Sequence, residues 1–518
     1  MEQFLLYTLL FTLAILLYAW FFTKSPARKK NLPPSPPTLP VIGNLHQLGP
    51  LAHCSLRDLS TKYGPAMFLK FGSKPVLVVS SAEVAKEIMK THDVAFAGKP
   101  VLSVPKKIFY DLNDLINLPY GDKWRKIRSI FMQELLGTSR VKSSNSIREE
   151  EVALLVEKIK NSSSPVNLTS VFMTLTNDLI CRAAFGKKHS EMRYGTRLLA
   201  VMDHAVGLMF KFTVGEFVPW LSWMNWLNGF NAELDACARE LDDVMDRILG
   251  DHLENTSSRE KENFLDILLG IYNGNVPGMS IDLISVKAAI LGISIPWNPC
   301  TPNMVRMGHS HFRRIRDVLG AGTETSARTL VWAMTELIRH PQAMKKLRDE
   351  VMEITKGKDR ITDDDLHQMH YLKAVIKETF RLHPPVTIYL HAARDYVNLM
   401  GYDIEPETII LINAWAIGRD KSIWEEPEKF VPERFLNSSV DFRGFNFELV
   451  PFGAGRRICP GLGFAASAIE HTVANLVKNF DFALPGGARV EDLDATEKPG
   501  FTVGKKEPLI VVPSCLSA

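Results

Sequence analysis

Phe452-Gly453-Ala454-Gly455-Arg456-Arg457-Ile458-Cys459-Pro460-Gly461 is the stretch from which the rest of the chain is read. One cysteine stands among glycines and arginines, just before an apolar helical run from Leu462 to Val477. The spacing puts Cys459 on a tight turn. Gly455 and Gly461 let the backbone approach a flat partner closely or adopt positive φ. Arg457, two residues before the cysteine, is placed to meet an anionic group of whatever the sulfur binds. The helix that follows would aim its first N–H groups at the sulfur and favour the thiolate. On Cys459 alone, a buried structural thiol is the plain alternative, since that is the commonest fate of a free cysteine.

A sheltered, anionic sulfur surrounded by donors is what an axial haem ligand requires. The spacing Phe-x-x-Gly-x-Arg-x-Cys-x-Gly resembles the haem-binding loop of the cytochrome P-450 family. The resemblance implies haem b with the Cys459 thiolate on iron, and Phe452, Gly455 and Arg457 around it. It also implies a mainly α fold with a small β-rich lobe.

Three further motifs occur in the family's order. In Trp124-Arg125-Lys126-Ile127-Arg128, Trp124 and Arg128 lie at i, i+4 on one helix face. An indole N–H and a guanidinium there can clamp a carboxylate; in the family this pair contacts a haem propionate. Ala321-Gly322-Thr323-Glu324-Thr325-Ser326 lies in a helical pattern running from Val318 to Arg339. Its small residues leave room over a haem, and O–O cleavage needs two protons, so Glu324 beside the Thr325 hydroxyl is an apt pair. In isolation the segment would read as a helix with a glycine kink. Glu378-Thr379-Phe380-Arg381 places Glu378 and Arg381 at i, i+3. The resemblance makes Arg434 the third partner, locking the segment that carries the cysteine loop. A buried set of this kind is a specificity device more than a stability device.

Phe4 to Phe22 is nearly all apolar, long enough as a helix to span a bilayer core of roughly 30 Å. Lys24, Arg28, Lys29 and Lys30 follow it, which predicts a cytosolic remainder. A cleaved signal peptide would carry its charges ahead of the apolar run and a small-residue site after it. We therefore expect a transmembrane anchor at 4–22, a basic, proline-rich hinge at 23–43 and a catalytic domain at 44–518. Dense prolines from Leu32 to Pro40 make the hinge stiff. The family resemblance puts the protein in the endoplasmic reticulum membrane.

The 518 residues carry a net charge of +3, which argues against nucleic acid as the main partner. Six scattered cysteines without a C-x-x-C pair argue against a zinc site or a disulfide framework. Met67 to Val79 reads as a β-hairpin around Gly72-Ser73-Lys74, and Ser81 as the cap of a helix. Val101 to Tyr120 is a loop rich in aliphatic and aromatic residues; it reads either as the roof over an apolar ligand or as a loop with core anchors. Val206 to Phe230, rich in Met, Phe and Trp, reads as core, as a channel lining or as a membrane contact.

Two places depart from the family pattern. After His383-Pro384-Pro385 the family usually places an arginine that binds a propionate; here Leu390-His391-Ala392 stands there, with a protonated His391 or Arg394 as substitutes. The second lies between Val286–Leu291 and Asp317–Gly320, where Pro296, Pro299 and Pro302 interrupt one helical pattern. Residues 292–316 read as an insertion.

The resemblance, closest to plant microsomal members that oxidise specialised metabolites, implies a monooxygenase. It would use O2 and electrons passed from NADPH by an NADPH–cytochrome reductase to oxidise a small apolar alkaloid, terpenoid or coumarin/phenylpropanoid. The alternatives are an O2-independent haem-thiolate isomerase or dehydratase, and a membrane haem protein inactivated by the 292–316 insertion.

Overall fold

A computed structural model describes residues 30–163, 165–210, 213–254, 262–276, 279–294, 320–499 and 502–516, together with Tyr7, Thr8, Phe11 and Thr12. Most of the expected 4–22 anchor and most of the 292–316 segment thus lie outside the described residues. Among the described residues no helix is long and apolar enough to cross a membrane.

The hairpin forms as the sequence predicts. Ala66–Phe71 pairs antiparallel with Lys74–Val79. The turn needs Gly72 twice over: its φ is +59°, and a Cβ there would lie 2.1 Å from the Phe217 carbonyl oxygen. Lys74–Val79 then pairs in parallel with Ile409–Asn413, which pairs antiparallel with Ile388–Ala392. Ile409–Asn413 is buried at every position, as expected of an apolar strand covered on both faces. Proline-rich residues 34–43 are strapped to this sheet: Phe68 N–H donates to the Pro34 carbonyl at 2.9 Å, and Gly43 bridges Phe71.

The helical body packs around Leu168–Phe185, Thr325–Arg339, His370–Leu382 and Leu462–Asn479, with Leu330, Met334, Ile376, Phe380, Val473 and Val477 in one core. Thr325–Arg339 is buried on all faces except at Thr325, Arg328 and Arg339, which suits a helix running through the centre of a domain. A second core joins Gly195–Phe210, Phe230–Glu254 and Leu283–Ser294. The stretch before Tyr120 is not all loop: Val104 and Ile108 sit in a short helix, Ser103–Ile108, and they and Phe109 and Leu115 after it are buried in this core. They are therefore anchors of the fold, while Tyr110, Asp111 and Leu112 beside them all take positive φ.

The helical pattern over the Glu324 segment is not uniform. Gly320–Glu324 is a π turn, and the α-helix begins at Thr325. Such single π turns widen a helix locally and recur at functional sites. Leu283–Ser294 contacts this turn although residues 295–319 separate them in sequence.

Candidate active site

The cysteine loop is held from both ends. Cys459 N–H donates to the Phe452 carbonyl at 2.9 Å, closing the turn. Phe452 itself stands edge-on to Phe380, ring centres 5.1 Å apart. Gly455 has φ +65°, and a Cβ there would meet the Met89 carbonyl oxygen at 2.2 Å, so this loop cannot seat a larger residue without moving. Asp93 accepts from Arg456 N–H at 3.2 Å on the same side. Burial pushes the Cys459 thiol up, while the N–H groups of Gly461 and Leu462 and the Arg128 guanidinium act to bring it down. The first turn of Leu462–Asn479 thus points donors at the sulfur, as the sequence implies.

Trp124 and Arg128 share the Asp122–Ile130 helix. Trp124 Nε1 donates to the Leu115 carbonyl at 3.1 Å, so its N–H is already engaged. Burial holds the Arg128 guanidinium below its ordinary range, and the charge opposing that shift comes from Cys459. Arg457 gives its donors to three carbonyls, of Ala97, Leu118 and Leu115, at 2.9, 2.7 and 3.3 Å, and lies 4.6 Å over the Trp124 ring. Burial pushes it down to about 10.

Sequence reasoning did not single out Lys99. Its ammonium donates to the Leu390 carbonyl, and burial beside Arg457 pushes it down to about 7. One lysine in a loop carries no spacing signal, which is why it escaped notice. Asp114 is the acid among these cations; burial pushes it up to about 6, against the pull of the Asn117 side chain and the backbone N–H groups of Ile116, Asn117 and Asp114. The result is a sulfur facing backbone donors and a margin of half-buried cations, of which Lys99 and Arg457 donate to carbonyls. That donor set fits haem b, whose iron takes a thiolate and whose edge carries two carboxylates.

The surroundings of His391 favour its neutral form, which weighs against the protonated alternative. Its Nδ1 lies 3.0 Å from the Phe96 carbonyl, and burial next to Lys99 and Arg457 holds its pKa well below the usual histidine value. Arg394 stays near the site, with its guanidinium 5.3 Å from the Tyr120 ring.

Glu378, Arg381 and Arg434 come together, the first two as their spacing suggested and Arg434 as the resemblance implied. Glu378 and Arg381 are wholly buried. Arg381 meets Glu378 through Nε and Nη2 at 2.7 and 2.8 Å, and gives Nη1 to the Gly418 and Pro427 carbonyls. Arg434 Nε reaches Glu378 at 3.1 Å, and Val431 N–H joins at 2.8 Å. Every oxygen of this carboxylate is used, so the burial is compensated.

Glu324 is also buried, and its Oε1 accepts from Arg328 Nε and Nη2 at 2.9 and 2.5 Å. Its Oε2 is buried without a hydrogen-bond partner. Thr325 follows directly, half-buried at the head of the helix. Arg328 was legible from its i, i+4 spacing to Glu324 but was not singled out. Elsewhere, ligand atoms of His53, Cys54 and Glu497 lie within 4.8 Å of one another, but Glu497 already accepts from His53 and Trp415.

Comparison with known proteins identifies the family. The Cytochrome P450 family model matches residues 33–291 and 313–512. Norfluorocurarine oxidase from Strychnos is 44% identical over 99% of both chains. Psoralen synthase from Pastinaca sativa is 46% identical over 96% of this chain and 99% of its own. Tabersonine/lochnericine 19-hydroxylase from Catharanthus roseus is 43% identical over 96% and 95%. A zebrafish cytochrome P450 structure with abiraterone shares the fold, with TM-score 0.71 at 23% identity, covering 91% of this chain and all of the other. The chain belongs to the cytochrome P450 family: it is a monooxygenase whose cofactor is haem b on a cysteine thiolate, with electrons drawn from NADPH through a reductase.

Proposed function

We propose that Cys459 is the iron ligand of an O2-dependent monooxygenase acting on an apolar plant specialised metabolite of the alkaloid or coumarin type. The observation that carries the assignment is the Cys459 sulfur itself, faced by the N–H groups of Gly461 and Leu462 and by the Arg128 guanidinium. Bound haem supplies the redox chemistry that activates dioxygen; the chain supplies position, shelter and protons. Arg128, Arg457 and Lys99 hold the cofactor's carboxylates. Glu324 and Thr325 pass protons to the oxygen side, and this pair favours the O2-dependent reading over an isomerase. The substrate class rests on the names of the relatives, which oxidise alkaloids and a coumarin. Incubating reductase-supplied microsomes with panels of indole alkaloids and coumarins, and screening for products one oxygen heavier or two hydrogens lighter, tests it. Turnover of neither panel overturns the class.

The 4–22 run anchors the protein in the endoplasmic reticulum membrane with the domain cytosolic. Supporting this, Trp220, Trp223, Trp226 and Leu227 are exposed together, and their segment packs at Phe217 against the Gly72 turn, beside the hinge. Residues 292–316 are an insertion that the oxygen-side helix tolerates. The family match skips 292–312, and the flanking Leu283–Ser294 helix still meets the Gly320–Glu324 turn. Expressing the chain with and without 292–316 and comparing haem content tests this: similar content supports tolerance, and a severalfold gain on deletion contradicts it.

A further inference from the structure

Glu324 is held asymmetrically. Both donors of Arg328 fall on Oε1, and Oε2 stays buried and unpartnered. An unsatisfied buried acceptor is costly, so the arrangement persists only because its surroundings enforce it. The surroundings are visible. Arg328 Nε also meets the Thr502 hydroxyl at 2.7 Å. A Cβ at Gly504 would lie 1.5 Å from Arg328 Nη1 and 2.5 Å from its Cζ, so the guanidinium occupies the space that a side chain at 504 would fill.

The 502–504 segment is itself pinned. Val503 N–H donates to the Pro385 carbonyl at 2.9 Å, and its own carbonyl accepts from Trp332 Nε1 at 3.2 Å. Trp332 stacks flat on His383, ring centres 3.9 Å apart, and His383 Nε2 pairs with Glu336 at 2.9 Å. The carboxy-terminal segment, the Thr325–Arg339 helix and the lead into Ile388–Ala392 therefore interlock around one guanidinium.

We propose that Arg328 is a positioning residue for proton delivery. Keyed by the Thr502 hydroxyl and by the bare backbone at Gly504, it pins Oε1 and so presents Oε2 as the proton-carrying oxygen beside Thr325. The inference rests on Glu324 being the relay acid. Each turnover takes two protons along this route and two electrons from NADPH through the reductase; one oxygen atom leaves as water and one enters the substrate.

The test uses the full-length, haem-loaded protein and needs no substrate. The reduced protein is mixed with air-saturated buffer in H2O and in D2O, and the reoxidation rate and its isotope ratio are measured. Haem content and thermal midpoint are followed alongside. Arg328→Gln should change the rate by about tenfold in the same direction as Glu324→Gln and alter the isotope ratio, with Arg328→Lys in between. Thr502→Val should move it the same way by less, and serves where Arg328→Gln does not fold. The Glu324→Gln/Arg328→Gln pair should be no worse than Glu324→Gln alone. If Glu324→Gln alters the rate and ratio while the Arg328 and Thr502 variants match the parent, the inference is overturned and the relay reading stands. If Glu324→Gln matches the parent, the relay reading falls.

Discussion

Glu378 and Glu324 are both buried carboxylates beside arginines, and they are held in opposite ways. Glu378 accepts four hydrogen bonds spread over both oxygens, from Arg381, Arg434 and Val431. Glu324 takes both of its Arg328 bonds on one oxygen and leaves the other bare. The first is a fully compensated buried ion set, which fixes one arrangement of chain segments. The second keeps an acceptor in reserve, on a π turn that departs from regular helix. Compensation marks the part of the molecule that must stay still; on the proposed relay, its lack marks the oxygen that would carry the proton.

That contrast can be broken by substitution. Glu378→Ala leaves Arg381 buried without its partner and should cost about 3–5 kcal/mol, seen as loss of haem from the expressed protein and a fall in the urea midpoint. Arg434→Ala removes a partly exposed arm of the same set and should cost about 1–3 kcal/mol in the same unfolding experiment. Glu324→Gln keeps an acceptor for Arg328 and should move stability by only about 1 kcal/mol while sharply lowering product formed per NADPH consumed. Equal stability losses for Glu378→Ala and Glu324→Gln would erase the distinction.

A smaller effect concerns pH. Burial holds His391 neutral in the fold and pushes His471 down to about 4, whereas the unfolded imidazoles protonate near 6.5. Below 6.5 the unfolded chain binds more protons, so the stability from each neutral imidazole is complete above that value and drains as the pH falls towards the folded one. For His471 the window runs from 6.5 to about 4. His471→Gln should flatten part of the drop in thermal midpoint between those values; an unchanged slope would show that this imidazole is not the cause.

Much of the site was legible because its spacing is local. The turn from Phe452 to Gly461, the i, i+4 pair Trp124 and Arg128, and the i, i+3 pair Glu378 and Arg381 each lie on one element, where sequence separation sets distance. Pairings that depend on distant chain were not. Thr502 meets Arg328 across 174 residues of sequence, with Gly504 beside it, and no periodicity relates them. The charge of His391 depends on burial and on Lys99, neither of which a sequence displays. The π turn at Gly320–Glu324 was invisible because small residues suit α and π geometry alike.

The most direct measurement is the reduced, carbon-monoxide-bound absorption spectrum of the Cys459→Ser protein beside the parent. The parent should show the red-shifted Soret band of a thiolate-bound haem, and the variant should lose that band together with all NADPH-dependent oxygenation. A Cys459→Ser protein that keeps both would contradict the assignment of Cys459 as the iron ligand.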